Sequence, residues 1–183
     1  HGSAGTGKTF ISMYLALQDV FDYHNDMHKV TIVRSVVPTR DIGYLPGSMH
    51  EKMMPWLMPI QDNIQFILGS DRVMLKSYLD SGEIEIEALT YIRGRSISNA
   101  FIIIDEAQNL TKHEIKTIIT RIGEGSKIVL TGDIEQIDNI YIDEKTNGLT
   151  YAVEKFKDYD LAGHITLQKG ERSKVASLSA KIL

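Results

Sequence analysis

Gly2-Ser3-Ala4-Gly5-Thr6-Gly7-Lys8-Thr9 follows the spacing G-x-x-x-x-G-K-[ST] without a departure. Glycines at 2, 5 and 7 permit turns that a Cβ would forbid, so successive amide N–H groups can converge on one anion. The helix predicted to follow, over 8–20, aims the positive end of its dipole at the same point. Lys8 then offers a mobile cation to the β- and γ-phosphates of a nucleotide, and the Thr9 hydroxyl an oxygen to Mg²⁺. The expected ligands are ATP and Mg²⁺, with Gly2, Ser3, Ala4, Gly5, Thr6, Gly7, Lys8 and Thr9 as the cofactor-binding set. A glycine-rich turn that merely caps a helix is the bland alternative, and the acids further along the chain weigh against it.

Such a loop normally follows a buried strand, whereas this sequence opens on the loop itself. The expectation is a fragment, with that strand and any adenine-recognising segment lying before His1. The 183 residues call for one domain, 1–183, large enough for a substantial core. A hydrophobic content of 43% and a charged content of 24% are those of an ordinary soluble protein. No apolar run approaches the ~20 residues of a membrane span, and no signal-peptide pattern opens the chain. With no cysteine, disulfides and thiolate metal sites are excluded. A cytoplasmic location with no membrane partner is the expectation. The net charge of −4 argues against a strongly basic nucleic-acid binder but leaves room for local basic patches.

Along the chain, strand and helix patterns alternate. Lys29–Arg34 is β-branched, as a buried parallel strand should be, and puts Arg34 at the edge where open α/β sheets bind ligands. A long loop is predicted over 38–47. Met49–Leu68 has a helical pattern interrupted by Pro55 and Pro59, with methionines and Trp56 read first as core and second as a partner surface. Val73–Leu79 continues as helix. Glu83–Glu87 alternates glutamate with isoleucine, which predicts a strand or edge hairpin with solvated carboxylates. Tyr91–Arg95 is a basic loop.

Phe101–Ile104 is an apolar strand that runs into Asp105-Glu106-Ala107-Gln108. From that position Asp105 can reach a phosphate-bound metal, and Glu106 can orient or deprotonate water. Helical spacing over 110–122 follows, then a strand over 127–131 that leads to Gly132-Asp133-Ile134-Glu135-Gln136. There the Gln136 amide can sense a γ-phosphate. A helix over 148–157, a strand over 164–167 and a helix over 174–183 complete the series, and Arg172 stands at the last strand-to-helix junction. The six histidines show no metal-ligand spacing. The predicted architecture is α/β, three layers around a mainly parallel sheet.

The loop at 2–9, the acids at 105–108 and the turn at 132–136 resemble three motifs of superfamily 1 helicases. Val33-Arg34, Gly43-Tyr44-Leu45-Pro46-Gly47, Tyr91-Ile92-Arg93-Gly94-Arg95 and Thr120-Arg121-Ile122-Gly123 narrow the likeness to PhoH-like P-loop ATPases, also encoded by phages. This resemblance covers nearly the whole chain. It implies a RecA-like core, Mg²⁺-dependent ATP hydrolysis, and a link to RNA or single-stranded DNA.

The roles then expected are a phosphate-binding Lys8, metal ligation by Thr9 and Asp105, water activation by Glu106 and γ-phosphate sensing by Gln136. Arg172 or Arg121 would stabilise developing charge. Arg34, Arg40, Arg93 and Arg95 are candidates for a nucleic-acid path. With a single RecA-like core, the working unit expected is a homo-oligomeric ring, a hexamer, in which a neighbour's arginine completes each site. A small-molecule kinase shares the phosphate loop but not the paired acids and glutamine turn. A nucleotide-gated scaffold with negligible turnover is the non-enzymatic rival, against which Glu106 and Gln136 count.

Overall fold

The structure, a computed structural model, describes residues 1–3, 5–22, 24–35, 49–92 and 94–170. Four parallel strands form its sheet: β1 (Lys29–Arg34), β2 (Ile84–Ala88), β3 (Ala100–Asp105) and β4 (Lys127–Leu130), in the order β2-β1-β3-β4. The helices are α1 (Lys8–Phe21), α2 (Met49–Ile67), α3 (Arg72–Ser81), the single turn α4 (Leu89–Ile92), α5 (Lys112–Ile119) and α6 (Gly148–Phe156).

Strand alternation sends side chains to both faces, and both faces are covered. Val30, Ile32, Phe101 and Ile103 pack with Met13, Ala16 and Leu17 of α1, Ile60 and Ile64 of α2, and Leu75 of α3. Val33, Ala100, Ile102 and Ile104 pack with Ile115 and Ile118 of α5 and Leu149 and Ala152 of α6. The result is the predicted three-layer α/β/α arrangement. It explains why β3 is an unbroken apolar run: every residue of β3 is buried, so neither face tolerates a polar side chain without a partner.

Local signals set the helix ends. Asp71 caps α3 by accepting from the amides of Val73 and Met74, and Gly82, left-handed at φ 77°, ends it. Thr111 and Glu114 form a reciprocal capping box at the start of α5, and Asn147 caps α6 through the Thr150 amide.

Three expectations change. Helix α2 runs continuously through Pro55 and Pro59. Each proline removes a backbone hydrogen bond, but Leu57, Ile60 and Ile64 fall on one buried stripe, and their burial holds the helix together. The segment Ile84–Ala88 is a parallel strand beside β1, and while Glu83 before it is exposed, Glu85 and Glu87 are half-buried and paired rather than solvated: Lys29 Nζ lies 3.2 Å from Glu85 Oε2, and Arg95 Nη1 lies 2.7 Å from Glu87 Oε1. The strand expected over 164–167 reduces to one parallel bridge between Leu167 and Gly2. The predicted loop at 38–47, the junction at Arg172 and the helix at 174–183 lie outside the described residues.

Because all strands point the same way, their C-terminal ends share one edge. Arg34 is in register with Asp105 across β1 and β3, and Thr131 follows β4 directly. At Gly2 the backbone N–H donates to the Gly132 carbonyl at 3.3 Å, and Leu167 N–H donates to the His1 carbonyl at 2.8 Å. The start of the glycine-rich loop is thus wedged between the chain leaving β4 and residue 167.

Candidate nucleotide site

The loop owes its shape to its glycines for two separate reasons. Gly5 (φ 76°) and Gly7 (φ 80°) occupy left-handed backbone, and Gly7 is the N-cap of α1. Gly2 is required for close approach instead, since a Cβ there would run into the Leu167 carbonyl oxygen. Thr6 Oγ1 donates to the Ser3 carbonyl at 2.9 Å and braces the turn. The N-terminus of α1 has neither a side-chain cap nor an acid in its first turn, which leaves its positive end free to attract an anion. Lys8 Nζ donates to the carbonyls of Gly2 and Ser3, the latter at 2.9 Å.

Opposite the loop stands Asp105, buried at the end of β3. Its Oδ1 accepts from Thr9 Oγ1 and from Thr131 Oγ1, both at 2.8 Å. Its Oδ2 lies 3.6 Å from Arg34 Nη1, while Arg34 Nη2 lies 3.7 Å from Glu106 Oε1. Glu106 takes a left-handed conformation, φ 56°, uncommon for a residue with a side chain. Gln108 Nε2 donates to Glu106 Oε2 at 2.7 Å and to the Gln136 carbonyl at 2.9 Å, and Gln108 Oε1 accepts from the Asp133 amide at 3.2 Å. Gln108 therefore fastens the acid turn to the turn after β4. Gly132 leaves room for this contact, because a Cβ there would stand 2.5 Å from Gln108 Oε1 and 2.7 Å from Leu149 Cδ2.

The structure brings Gly2, Ser3, Gly5, Thr6, Gly7, Lys8, Thr9, Asp105 and Glu106 to one edge. Ala4 and Arg172 lie outside the described residues, as do Arg40 and Arg93. Gln136 reaches this network through its backbone carbonyl, and the residue itself is exposed. Arg121 is elsewhere. Its carbonyl accepts from the Ile97 amide at 2.9 Å, just before β3, and the residue lines a cavity with Leu89, Ile92 and Ile118. Arg95 is held by Glu87 and Glu85, and the charge of Glu87 is the chief reason its guanidinium holds its proton more tightly than usual. Thr131 and Gln108 had no role assigned from sequence, although Gln108 stands within the quoted acid motif and Thr131 at a strand's end.

A parallel α/β/α fold with this loop, a lysine and an acid at the ends of adjacent elements defines the class of P-loop NTPases. The chain belongs to the PhoH family: the family model described as PhoH-like protein matches residues 1–182. Protein PhoH2 of Bacillus subtilis (strain 168) is 51% identical over 188 residues, covering 100% of this chain and 42% of the relative. Protein PhoH2 of Mycolicibacterium smegmatis is 38% identical over 184 residues, with 100% and 41% covered. A PhoH-like protein of Bacillus subtilis (strain 168) is 37% identical over 169 residues, with 92% and 51% covered. The chain thus spans between two-fifths and half of the length of these relatives.

Proposed function

We propose that this PhoH-family domain binds ATP with Mg²⁺ and hydrolyses it, and that the cycle acts on RNA or single-stranded DNA in a cytoplasmic ring, a hexamer. The observation that carries the ATPase reading is the 2.8 Å hydrogen bond from Thr9 to Asp105, which sets the end of the phosphate loop against a buried carboxylate. A hydroxyl and a carboxylate oxygen are hard donors of the kind Mg²⁺ takes together with phosphate oxygens, so the residues present fit a metal–nucleotide complex. Among the described residues no cluster of three or more His, Asp or Glu could hold a metal without a nucleotide. Thr9 and Asp105 would hold the ion, which when bound neutralises charge on the phosphates.

The chain's own groups do the rest. Loop amides and the start of α1 bind the phosphates, and Lys8 exchanges the carbonyls of Gly2 and Ser3 for phosphate oxygens. Glu106, steadied by Gln108, orients a water and takes its proton as the water oxygen attacks the γ-phosphorus and the β–γ bridging bond breaks. No helix among the described residues is long and apolar enough to cross a membrane. The test is phosphate release by the full chain with and without Mg²⁺, titrated with RNA, single-stranded DNA and duplex. Phosphate release that needs Mg²⁺ and rises with one strand type supports the reading. Absence of turnover under all these conditions removes it.

A further inference from the structure

Arg34 is the one guanidinium or ammonium group within ion-pair distance of Asp105 or Glu106 among the described residues. Its two terminal nitrogens divide between the two acids, at 3.6 Å and 3.7 Å. This is built into the sheet, since Arg34 ends β1 in register with Asp105 at the end of β3. The remaining oxygens are also committed: Asp105 Oδ1 to two hydroxyls and Glu106 Oε2 to Gln108. Lys8, the other cation of the site, faces loop carbonyls.

We infer that Arg34 is a resident counter-ion whose guanidinium stands where the positive charge of the metal–nucleotide complex is needed, so that it positions both acids and sets the affinity for Mg²⁺. The inference rests on the ATPase reading above. A cation beside Asp105 Oδ2 opposes a divalent ion at Asp105 in two ways, by occupying the same carboxylate and by like-charge repulsion at short range. Metal binding must loosen the Asp105 contact, while the contact to Glu106, on the far side of the fork, is free to persist. Arg34 thereby passes from bridging two acids to holding the one expected to orient water. Removing its charge should tighten Mg²⁺ while leaving Glu106 less well placed.

The experiment measures, on the full chain, the Mg²⁺ concentration at half-maximal binding of a fluorescent non-hydrolysable ATP analogue. For Arg34→Gln this midpoint should fall on the order of tenfold below the parent's, because a nearby positive charge is lost. Arg34→Lys keeps a positive charge and should stay close to the parent. A substitution that merely loosened the fold would weaken Mg²⁺ binding, not tighten it. A midpoint unchanged or raised in Arg34→Gln, with the parent still dependent on Mg²⁺, overturns this inference alone. A parent whose nucleotide binding ignores Mg²⁺ overturns the metal-dependent reading of the site and this inference with it. If Arg34→Gln does not fold, the parent supplies the measurement. Its Arg34 side-chain Nε–H NMR signal, identified by its loss in Arg34→Lys, should move on adding Mg²⁺ to the analogue-bound protein, and an unmoved signal overturns the inference.

Discussion

Thr9 and Asp105 are separated by 96 positions in the chain and by 2.8 Å between Oγ1 and Oδ1. The first turn of α1 is thereby tied to the end of β3, and Thr131 binds the same carboxylate oxygen from the end of β4. Three elements meet at one buried acid, so the distance between loop and acid is set by the fold. Preorganisation of this kind reduces the ordering needed when a nucleotide arrives.

Lys8 and Glu106 should separate binding from turnover. Lys8→Ala removes the mobile cation and is expected to weaken ATP binding, measured by titration with a fluorescent analogue. Glu106→Gln keeps the shape and the contact with Gln108 but cannot accept a proton. Its affinity should persist while turnover drops by ~10² or more, the usual contribution of a placed base. Equal turnover in Glu106→Gln and the parent would refute the role given to Glu106.

Gln108 is fully buried, and its amide makes all three of the contacts that join Glu106, Asp133 and Gln136. Gln108→Leu roughly preserves the volume but strands the buried Asp133 amide, which predicts a loss of about 2 kcal/mol in stability, within the range for an orphaned buried donor. Urea unfolding measures it. Turnover should fall further than ATP affinity, because Glu106 loses the neighbour that orients it. A variant as stable and as active as the parent would show that the network is dispensable.

What was legible in the sequence follows from how local each signal is. The loop glycines, the apolar run of β3 and the acids at its end are contiguous, and so they were readable. Arg34 is expected at the ligand edge, and it is there, but its pairing with Asp105 and Glu106 is not legible, because that depends on the register of two strands 66 positions or more apart in the chain. The Arg95 pairing escapes the sequence for another reason: Glu87 is only eight positions away, but the 2.7 Å contact depends on how the chain turns back after β2. Alternating Glu and Ile in β2 looks like a strand with one wet face, but Lys29 on β1 and Arg95 after α4 cover the carboxylates.

The loop before α6 should loosen in acid. Asp143 Oδ1 accepts from Thr146 Oγ1 and from the amides of Lys145 and Thr146, and these bonds, the Thr146 hydroxyl first, hold its pKa below the ordinary 3.8. A carboxylate depressed in the folded state stabilises above its unfolded pKa, and that contribution disappears as pH falls through the folded value. Amide exchange at Lys145 and Thr146, corrected for its intrinsic pH dependence, should therefore lose protection at the acid end of the titration. Asp143→Ala should leave the Lys145 amide unprotected throughout, whereas the Thr146 amide keeps its bond to the carbonyl of residue 143. Protection that is constant from neutral pH to below the folded pKa would contradict the argument.

Arg121 yields the sharpest test of assembly. It sits beside Ile97, before β3 begins, whereas Asp105 closes that strand. The six residues of β3 span roughly 20 Å at ~3.3 Å per residue, so the backbone of Arg121 is well separated from Asp105, and a role on a neighbouring subunit's site is the expectation tested for it. If the working unit is a ring with shared sites, Lys8→Ala subunits mixed with Arg121→Ala subunits will form some interfaces that pair an intact loop with an intact arginine. ATPase activity should then exceed that of either variant alone. Mixing Lys8→Ala with Arg172→Ala asks the same of the other arginine, and whichever mixture regains activity identifies the residue that crosses the interface. Regain in neither mixture, or light scattering that finds only monomers with full activity, would rule out the shared-site ring.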